Sequence, residues 1–242
     1  MLQIVYQSDP NNPNEIHWMF REEAKGLIEY GILIGTKPLP EATKLFYRGE
    51  FLEQNNYPSD VRFINNFQEY SSYLFIDNWL PIIQDLTIET FFLDDLNLNT
   101  EKLILSKGWK KAFIKNRVKS LNFLSAEKSI WPDTSFVEMK SLFRQNSKFN
   151  TMYAIRKYKE MFHFDVETRY WVINGNIYNP SGNIPKIVTE AAARLCKFGG
   201  KIFVIDATPD LIIEVNPGET SVRYADNPAE QFASWLKSEF LK

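Results

Sequence analysis

Two carboxylates and an amide near the C-terminus have the types and spacing for cation chemistry. Asp206 closes the apolar run Ile202-Phe203-Val204-Ile205, and Glu214 and Asn216 lie in Leu211-Ile212-Ile213-Glu214-Val215-Asn216-Pro217-Gly218. Two apolar runs separated by Pro209-Asp210 predict a β-hairpin. Alternate strand side chains share a face, so Glu214 and Asn216 project together while Leu211, Ile213 and Val215 fill the opposite face. A three-residue turn, Pro209 to Leu211, sets Asp206 directly opposite Glu214 with Cβ atoms roughly 5 Å apart. Facing carboxylates repel each other unless one is protonated or a cation lies between them. An all-oxygen set suits Mg²⁺, which commonly takes one or two protein carboxylates and completes its octahedron with phosphate oxygens and water. The plain alternative is a surface hairpin with solvated acids.

Three basic side chains stand upstream on segments that read as strands. Lys111, Phe113 and Lys115 share one face of Lys110–Lys115, Arg156 lies on Thr151–Tyr158, and Arg169, Trp171 and Ile173 share one face of Val166–Ile173. Asn174-Gly175 then predicts a tight hairpin to Asn176-Ile177-Tyr178, because both residues tolerate positive φ.

The Glu214-Val215-Asn216-Pro217-Gly218 run, with Asp206 on the preceding strand, resembles the closing motif of the ATP-grasp superfamily. Glu167-Thr168-Arg169-Tyr170-Trp171-Val172 resembles the Glu-x-Arg-x-φ-Val strand of ATP-grasp ligases, where φ is an apolar residue. Lys115, Arg156 and Arg169 together resemble the clade named for two arginines and a lysine. The resemblance covers about residues 96 to 224. It implies that Asp206, Glu214 and Asn216 hold the magnesium of bound ATP and that Lys115 meets the α and β phosphates. It further implies that Arg156 binds phosphate and that Arg169 faces phosphate or an acyl-phosphate intermediate, which makes the two arginines the catalytic candidates. Lys157-Tyr158-Lys159 would be the hinge whose backbone pairs with adenine. The implied activity is that of an ADP-forming carboxylate-amine ligase acting on an amino acid, peptide or protein. Phosphate transfer to a non-carboxylate acceptor at the same site, and nucleotide sensing without turnover, remain open.

One segment departs from the family pattern. Asn116-Arg117-Val118-Lys119-Ser120 has no glycine where many ATP-grasp proteins place a glycine-rich flap, so Arg117 and Lys119 are either phosphate contacts or solvated loop residues. No obligatory general base is visible, and His163 is the candidate near the hinge. Lys115-Asn116-Arg117-Val118 is not the Lys-x-Asp-Gly type of motif that nucleic-acid ligation would want.

The elements that must position these residues read as α/β (α+β). Residues 1–95 read as a small α/β domain, and the resemblance implies that 96–242 form an ATP-grasp domain whose mixed and antiparallel sheets clamp ATP. Leu2–Tyr6, a helix over Glu15–Tyr30 capped by Asn14, and Ile32–Ile34 predict a parallel βαβ unit. Lys44–Tyr47 and Glu89–Leu93 predict strands, and Phe67–Leu86 predicts a helix broken at Pro81. A helix capped by Asn99 or Thr100 ends at Gly108, and Ser135 with Glu138 forms a capping-box pattern for another. Pro185 opens a helix with Ile187, Val188, Ala191, Ala192 and Leu195 as its apolar stripe. A terminal helix, capped by Asp226 or Asn227, docks through Phe232, Trp235, Leu236 and Phe240. His17 and Trp18 read as packing or surface residues, and Cys196 as a small packing residue.

A chain of 242 residues with 44% hydrophobic content can bury a substantial core. Its formal charge of −2 gives no general attraction to nucleic acid or anionic membranes. The single cysteine excludes an internal disulfide and a multi-cysteine zinc site, and with no signal peptide or apolar span in view the expected setting is the cytoplasm. The acceptor and the oligomeric state are not readable from the sequence.

Overall fold

The opening apolar run forms β1 (Leu2–Tyr6), buried along its whole length. The computed structural model describes residues 1–50, 52–118, 124–146, 152–159, 167–223 and 228–241. Contacts group the chain into two compact units, Met1–Leu74 with Glu167–Lys242, and Phe75–Val166. In the first, a short hairpin of β2 (Ser8–Asp9) and β3 (Asn12–Ile16) precedes α1 (Arg21–Glu29), β4 (Leu33–Gly35) and β5 (Lys44–Arg48). The parallel βαβ arrangement is present: Ile4 of β1 stands opposite Ile34 on one side and Phe46 on the other. The helix starts later than its apolar spacing predicts. Asn12–Ile16 pairs with Ser8–Asp9, and Arg21 fixes the junction by donating to the Ile16 carbonyl and to Asp9. Asn14 therefore lies in the hairpin, and His17 caps the turn Trp18–Phe20 by accepting the Met19 N–H. His17 is buried and Trp18 exposed. After α2 (Phe67–Leu74) the helix breaks at Phe75, whose backbone is extended at φ −92°, ψ 120°, ahead of the expected break at Pro81.

The unit Phe75–Val166 holds α3 (Ile76–Trp79), β6 (Thr90–Leu93), α4 (Leu98–Ser106), β7 (Ala112–Asn116), β8 (Ile130–Trp131), α5 (Phe136–Asn146) and β9 (Tyr153–Lys157). Its strands form one antiparallel sheet in the order β6-β9-β7-β8. β6, which precedes the boundary expected near residue 95, thus pairs inside this unit. Asn97, rather than Asn99 or Thr100, caps α4, and Thr100 completes the box by accepting the Asn97 N–H. Ala112, Ile114, Tyr153 and Ile155 share a core with Ile104, Met139 and Phe143 from α4 and α5. Lys115 and Arg156 fall on the opposite phase of their strands.

Within the first unit, the later segment supplies β10 (Thr168–Ile173), β11 (Asn176–Tyr178), α6 (Lys186–Leu195), β12 (Ile202–Thr208), β13 (Leu211–Pro217) and α7 (Ala229–Phe240). The antiparallel sheet runs β11-β10-β12-β13. Asn174 and Gly175, at φ 51° and 85°, make the tight turn expected of that dipeptide. One sheet face carries Trp171, Ile173, Ile202 and Val204 into a core shared with Leu2, Ile4, Phe20, Leu27, Phe232 and Leu236. The other packs on α2 and α6, with Tyr73 stacked on Phe203 at 4.3 Å. Among the described residues no helix is long and apolar enough to cross a membrane.

A charged pair lies inside this aromatic core. Arg48, 0% exposed, holds Glu23 through Nε (2.9 Å) and Nη2 (2.6 Å) and donates Nη1 to the carbonyls of Gly218 and Ser221. Its guanidinium lies 5.0 Å from the Phe20 ring centroid and 5.4 Å from that of Trp171. Glu23 also accepts from Tyr6 and Arg223. Burying two charges is tolerable only when they are paired and otherwise satisfied, and breaking such a pair leaves one stranded. Arg48→Met is expected to lower stability by about 3–5 kcal/mol, read as a fall in the urea midpoint of unfolding.

Candidate functional site

The geometry of β12 and β13 sets the acids. A two-residue turn joins them, with Thr208 opposite Leu211 and Ala207 opposite Ile212; the register then slips by one, so that Asp206 faces Glu214, Ile205 faces Val215 and Val204 faces Asn216. The pairing of Asp206 with Glu214 is the expected one, but it is reached through a shorter turn and a β-bulge that absorbs Ile213. A bulge reverses the alternation of faces on one side of itself. Ile212, Val215 and Pro217 are accordingly the buried residues of the strand, whereas Leu211 and Ile213, expected in the core, are partly exposed.

Arg169 on β10 stands opposite Asp206 on its other side. Arg169, Asp206 and Glu214 therefore form one row across three strands, at the polar end of the face that carries Trp171 and Val204 inward. The pair is bidentate: Arg169 Nε donates to Asp206 Oδ1 at 2.8 Å and Nη2 to Oδ2 at 2.7 Å. Asn216 Nδ2 approaches Oδ2 at 3.5 Å, and Arg169 Nη1 donates to the Val222 carbonyl. Asp206 is 1% exposed, and burial pushes its carboxyl up against the downward pull of Arg169, with Glu214 adding to the rise.

The donors fit magnesium. Each carboxylate oxygen offers two lone pairs, so Asp206 retains acceptor capacity beside Arg169, and Asn216 presents its amide oxygen when Nδ2 donates. Among the described residues no group of three or more His, Cys, Asp or Glu side chains could hold a metal. Asp206, Glu214 and Asn216 make a sparse all-oxygen set, of the kind that Mg²⁺ completes with phosphate and water.

The other predicted residues lie in the unit Phe75–Val166. In the β7–β9 ladder Lys115 faces Ala154 and Phe113 faces Arg156, so Lys115 and Arg156 are diagonal neighbours on one face. Both are buried, and Arg156 Nη2 donates to the Thr87 hydroxyl at 3.1 Å. Lys157 is exposed and its N–H donates to Glu89; the Tyr158 N–H donates to Lys111. Arg117, read as a phosphate contact or a solvated residue, is half-buried in an ion pair. It forks onto Asp77 with two contacts of 2.7 Å and lies 4.1 Å from the Phe75 ring centroid, which ties the start of the basic loop to α3. Lys119, Ser120 and His163 lie outside the described residues.

No family model matches the sequence, and no curated protein matches it. Among solved structures the chain is similar to the macrocyclase MdnC from Microcystis aeruginosa bound with precursor peptide MdnA, with a TM-score of 0.60, 13% identity, and coverage of 98% of this chain and 100% of that one. It is also similar to the D-alanine-D-alanine ligase from Coxiella burnetii, with a TM-score of 0.63, 12% identity, and coverage of 98% and 94%. A third is the ATP-grasp ligase PsnB complexed with minimal precursor, Mg and ADP, with a TM-score of 0.55, 10% identity, and coverage of 100% and 98%. The chain has the ATP-grasp fold.

Directly after β13 comes an acid that sequence reasoning missed. Gly218 precedes it, where a Cβ would stand 2.4 Å from Ile202 Cγ2. Glu219 is 1% exposed; its Oε1 accepts from Asn65 Nδ2 at 2.8 Å and Tyr57 at 3.3 Å, while Oε2 is buried with no hydrogen-bond partner among the described residues. These partners stand 154 and 162 positions away, so no local signal marked the residue. Burial pushes its carboxyl up from 4.5 to about 7. Below pH 4.5 the folded and unfolded chains both carry the proton. As pH rises from there to about 7 the unfolded chain releases it first, so the folded chain loses stability across that window. At ~1.4 kcal/mol per pKa unit the loss is on the order of 3 kcal/mol. Melting temperatures of the parent and Glu219→Gln, measured from pH 4 to 8, are expected to diverge in favour of the variant through that window.

Proposed function

We propose that the chain is an ATP- and magnesium-dependent ligase that joins a carboxylate to an amine and releases ADP. The observation that carries this reading is the row of Arg169, Asp206 and Glu214, with Asn216 beside it, in a chain of ATP-grasp fold. In such a reaction a substrate carboxylate oxygen attacks the γ-phosphorus in line and ADP leaves. The amine then opens the acyl phosphate and inorganic phosphate leaves. The protein has little covalent work in this sequence, so positioning and charge supply most of the acceleration.

Asp206, Glu214 and Asn216 would hold the magnesium, which when bound neutralises phosphate charge. Lys115 and Arg156 would hold phosphate oxygens, with Thr87 fixing the angle of Arg156. Arg169 would stabilise the transferring phosphoryl group. Lys157 and Tyr158 would border adenine; since their N–H groups already donate to Glu89 and Lys111, the carbonyls are what they would offer its edge. The substrates are an amino acid or peptide by analogy with the D-alanine-D-alanine ligase and the peptide macrocyclase, and a reducing cytoplasm suits a chain with one cysteine.

The test is ATP turnover with Mg²⁺, following ADP and AMP against mixtures of amino acids and peptides, in the parent and in Glu214→Gln. ADP release that requires both a carboxylate and an amine, and that falls by two or more orders of magnitude in the variant, is the expected result. ADP released with a phosphorylated hydroxyl would make the chain a phosphotransferase, and tight Mg-ATP binding without turnover a nucleotide-sensing module. Loss of a charge-assisted bond is worth about 1.5–3 kcal/mol. Lys115→Ala should therefore weaken ATP binding by roughly tenfold to more than a hundredfold in calorimetry.

A further inference from the structure

In the row Arg169, Asp206 and Glu214, the central carboxylate has both oxygens engaged by one guanidinium. Its side chain is 2% exposed and that of Arg169 is 13% exposed, so water does little to screen the charges. Arg169 is held from a second direction by the Val222 carbonyl, which keeps its fork aimed at Asp206. On the other flank Glu214 brings a second negative charge directly opposite Asp206. The row therefore contains one cation for two anions, and the cation is already seated on the oxygens that a metal would take. A fork of two short charge-assisted bonds is among the strongest contacts an arginine makes, and a divalent ion set against the same oxygens faces like charge across a poorly screened gap.

We infer that Arg169 is the resident counter-ion of this site and competes with the divalent cation for Asp206. Metal arriving alone reaches lone pairs on oxygens that the guanidinium already holds, so it must either weaken that fork or bind against its charge. Metal arriving with a polyphosphate gives the guanidinium a new anionic partner at the moment it is released. Arg169 thereby links occupancy of the acids to the availability of its own charge for the transferring group. The inference rests on the reading of Asp206, Glu214 and Asn216 as the metal site, but it departs from a picture in which every charged residue there assists the metal. Here one residue opposes metal until nucleotide is present.

The probe is Mn²⁺ without nucleotide, titrated by calorimetry and by loss of the free-ion paramagnetic resonance signal. Arg169→Met keeps most of the side-chain stem and removes the charge, and it is expected to bind Mn²⁺ at least tenfold more tightly than the parent. Arg169→Lys keeps a charge but cannot bond both oxygens as a fork, and should fall between the two. It also carries the test if Arg169→Met fails to fold, as judged by circular dichroism. Adding Glu214→Gln to either variant should abolish the gain. Mn²⁺ binding that depends on Glu214 but is unchanged or weaker in the Arg169 variants overturns the competition and leaves the metal site standing. Mn²⁺ binding indifferent to Glu214 in every protein overturns the metal site and the competition with it.

Discussion

The buried pair of Arg48 and Glu23 is the constraint around which the larger unit is arranged. A guanidinium enclosed by Phe20, Phe46, Trp171 and Phe232 has no water to fall back on, so each of its hydrogen-bonding directions must be met by protein. Glu23 on α1 meets two, and the carbonyls of Gly218 and Ser221 meet others. That demand joins the first strand layer to the segment that leaves β13, and so fixes how the strand bearing Glu214 and Asn216 ends. Arg223 and Tyr6 close the remaining lone pairs of Glu23. The arrangement is strongly held because no member can be withdrawn without exposing another to an apolar surrounding.

The same segment is pinned repeatedly along its length. Arg169 takes the Val222 carbonyl while holding Asp206, and Glu219 is inserted between Tyr57 and Asn65. Residues 218 to 223 thus form a short strap fastened by side chains from four distant parts of the sequence. The acids of the candidate site inherit their rigidity from this strap as well as from the sheet. Positional accuracy of that order is what catalysis by alignment and charge requires.

What the sequence disclosed and what it hid divide along the range of the interactions involved. Strands with plain alternation, the Asn174-Gly175 turn and the helix opened by Pro185 were legible because neighbouring residues decide them. The facing of Asp206 and Glu214 was legible too, since the spacing between them allows few alternatives. The bulge was not, because a run of Leu, Ile and Ile carries no mark of where the ladder slips. Nor was the late start of α1: the apolar spacing from Ile16 onward is helical, but Asp9 and the hairpin claim those residues first. The ion pair of Arg169 and Asp206, the commitment of Arg117 to Asp77 and the burial of Glu219 all depend on partners that are remote in sequence or set by strand order. Periodicity is silent about such contacts.

The bulge at Ile213 has a bearing on how this chain can change over time. It acts as a phase shift in the strand, much as an inserted letter shifts a reading frame. On the turn side of it, residues such as Asp210 and Leu211 can vary without moving Glu214, Val215 or Asn216 out of step with their partners. On the far side no such slack exists, and losing one residue would exchange acid for aliphatic across the whole face. Tolerance to insertion and deletion in this hairpin should therefore be sharply one-sided, so that natural variation in loop length can accumulate at the tip while the acids keep their places.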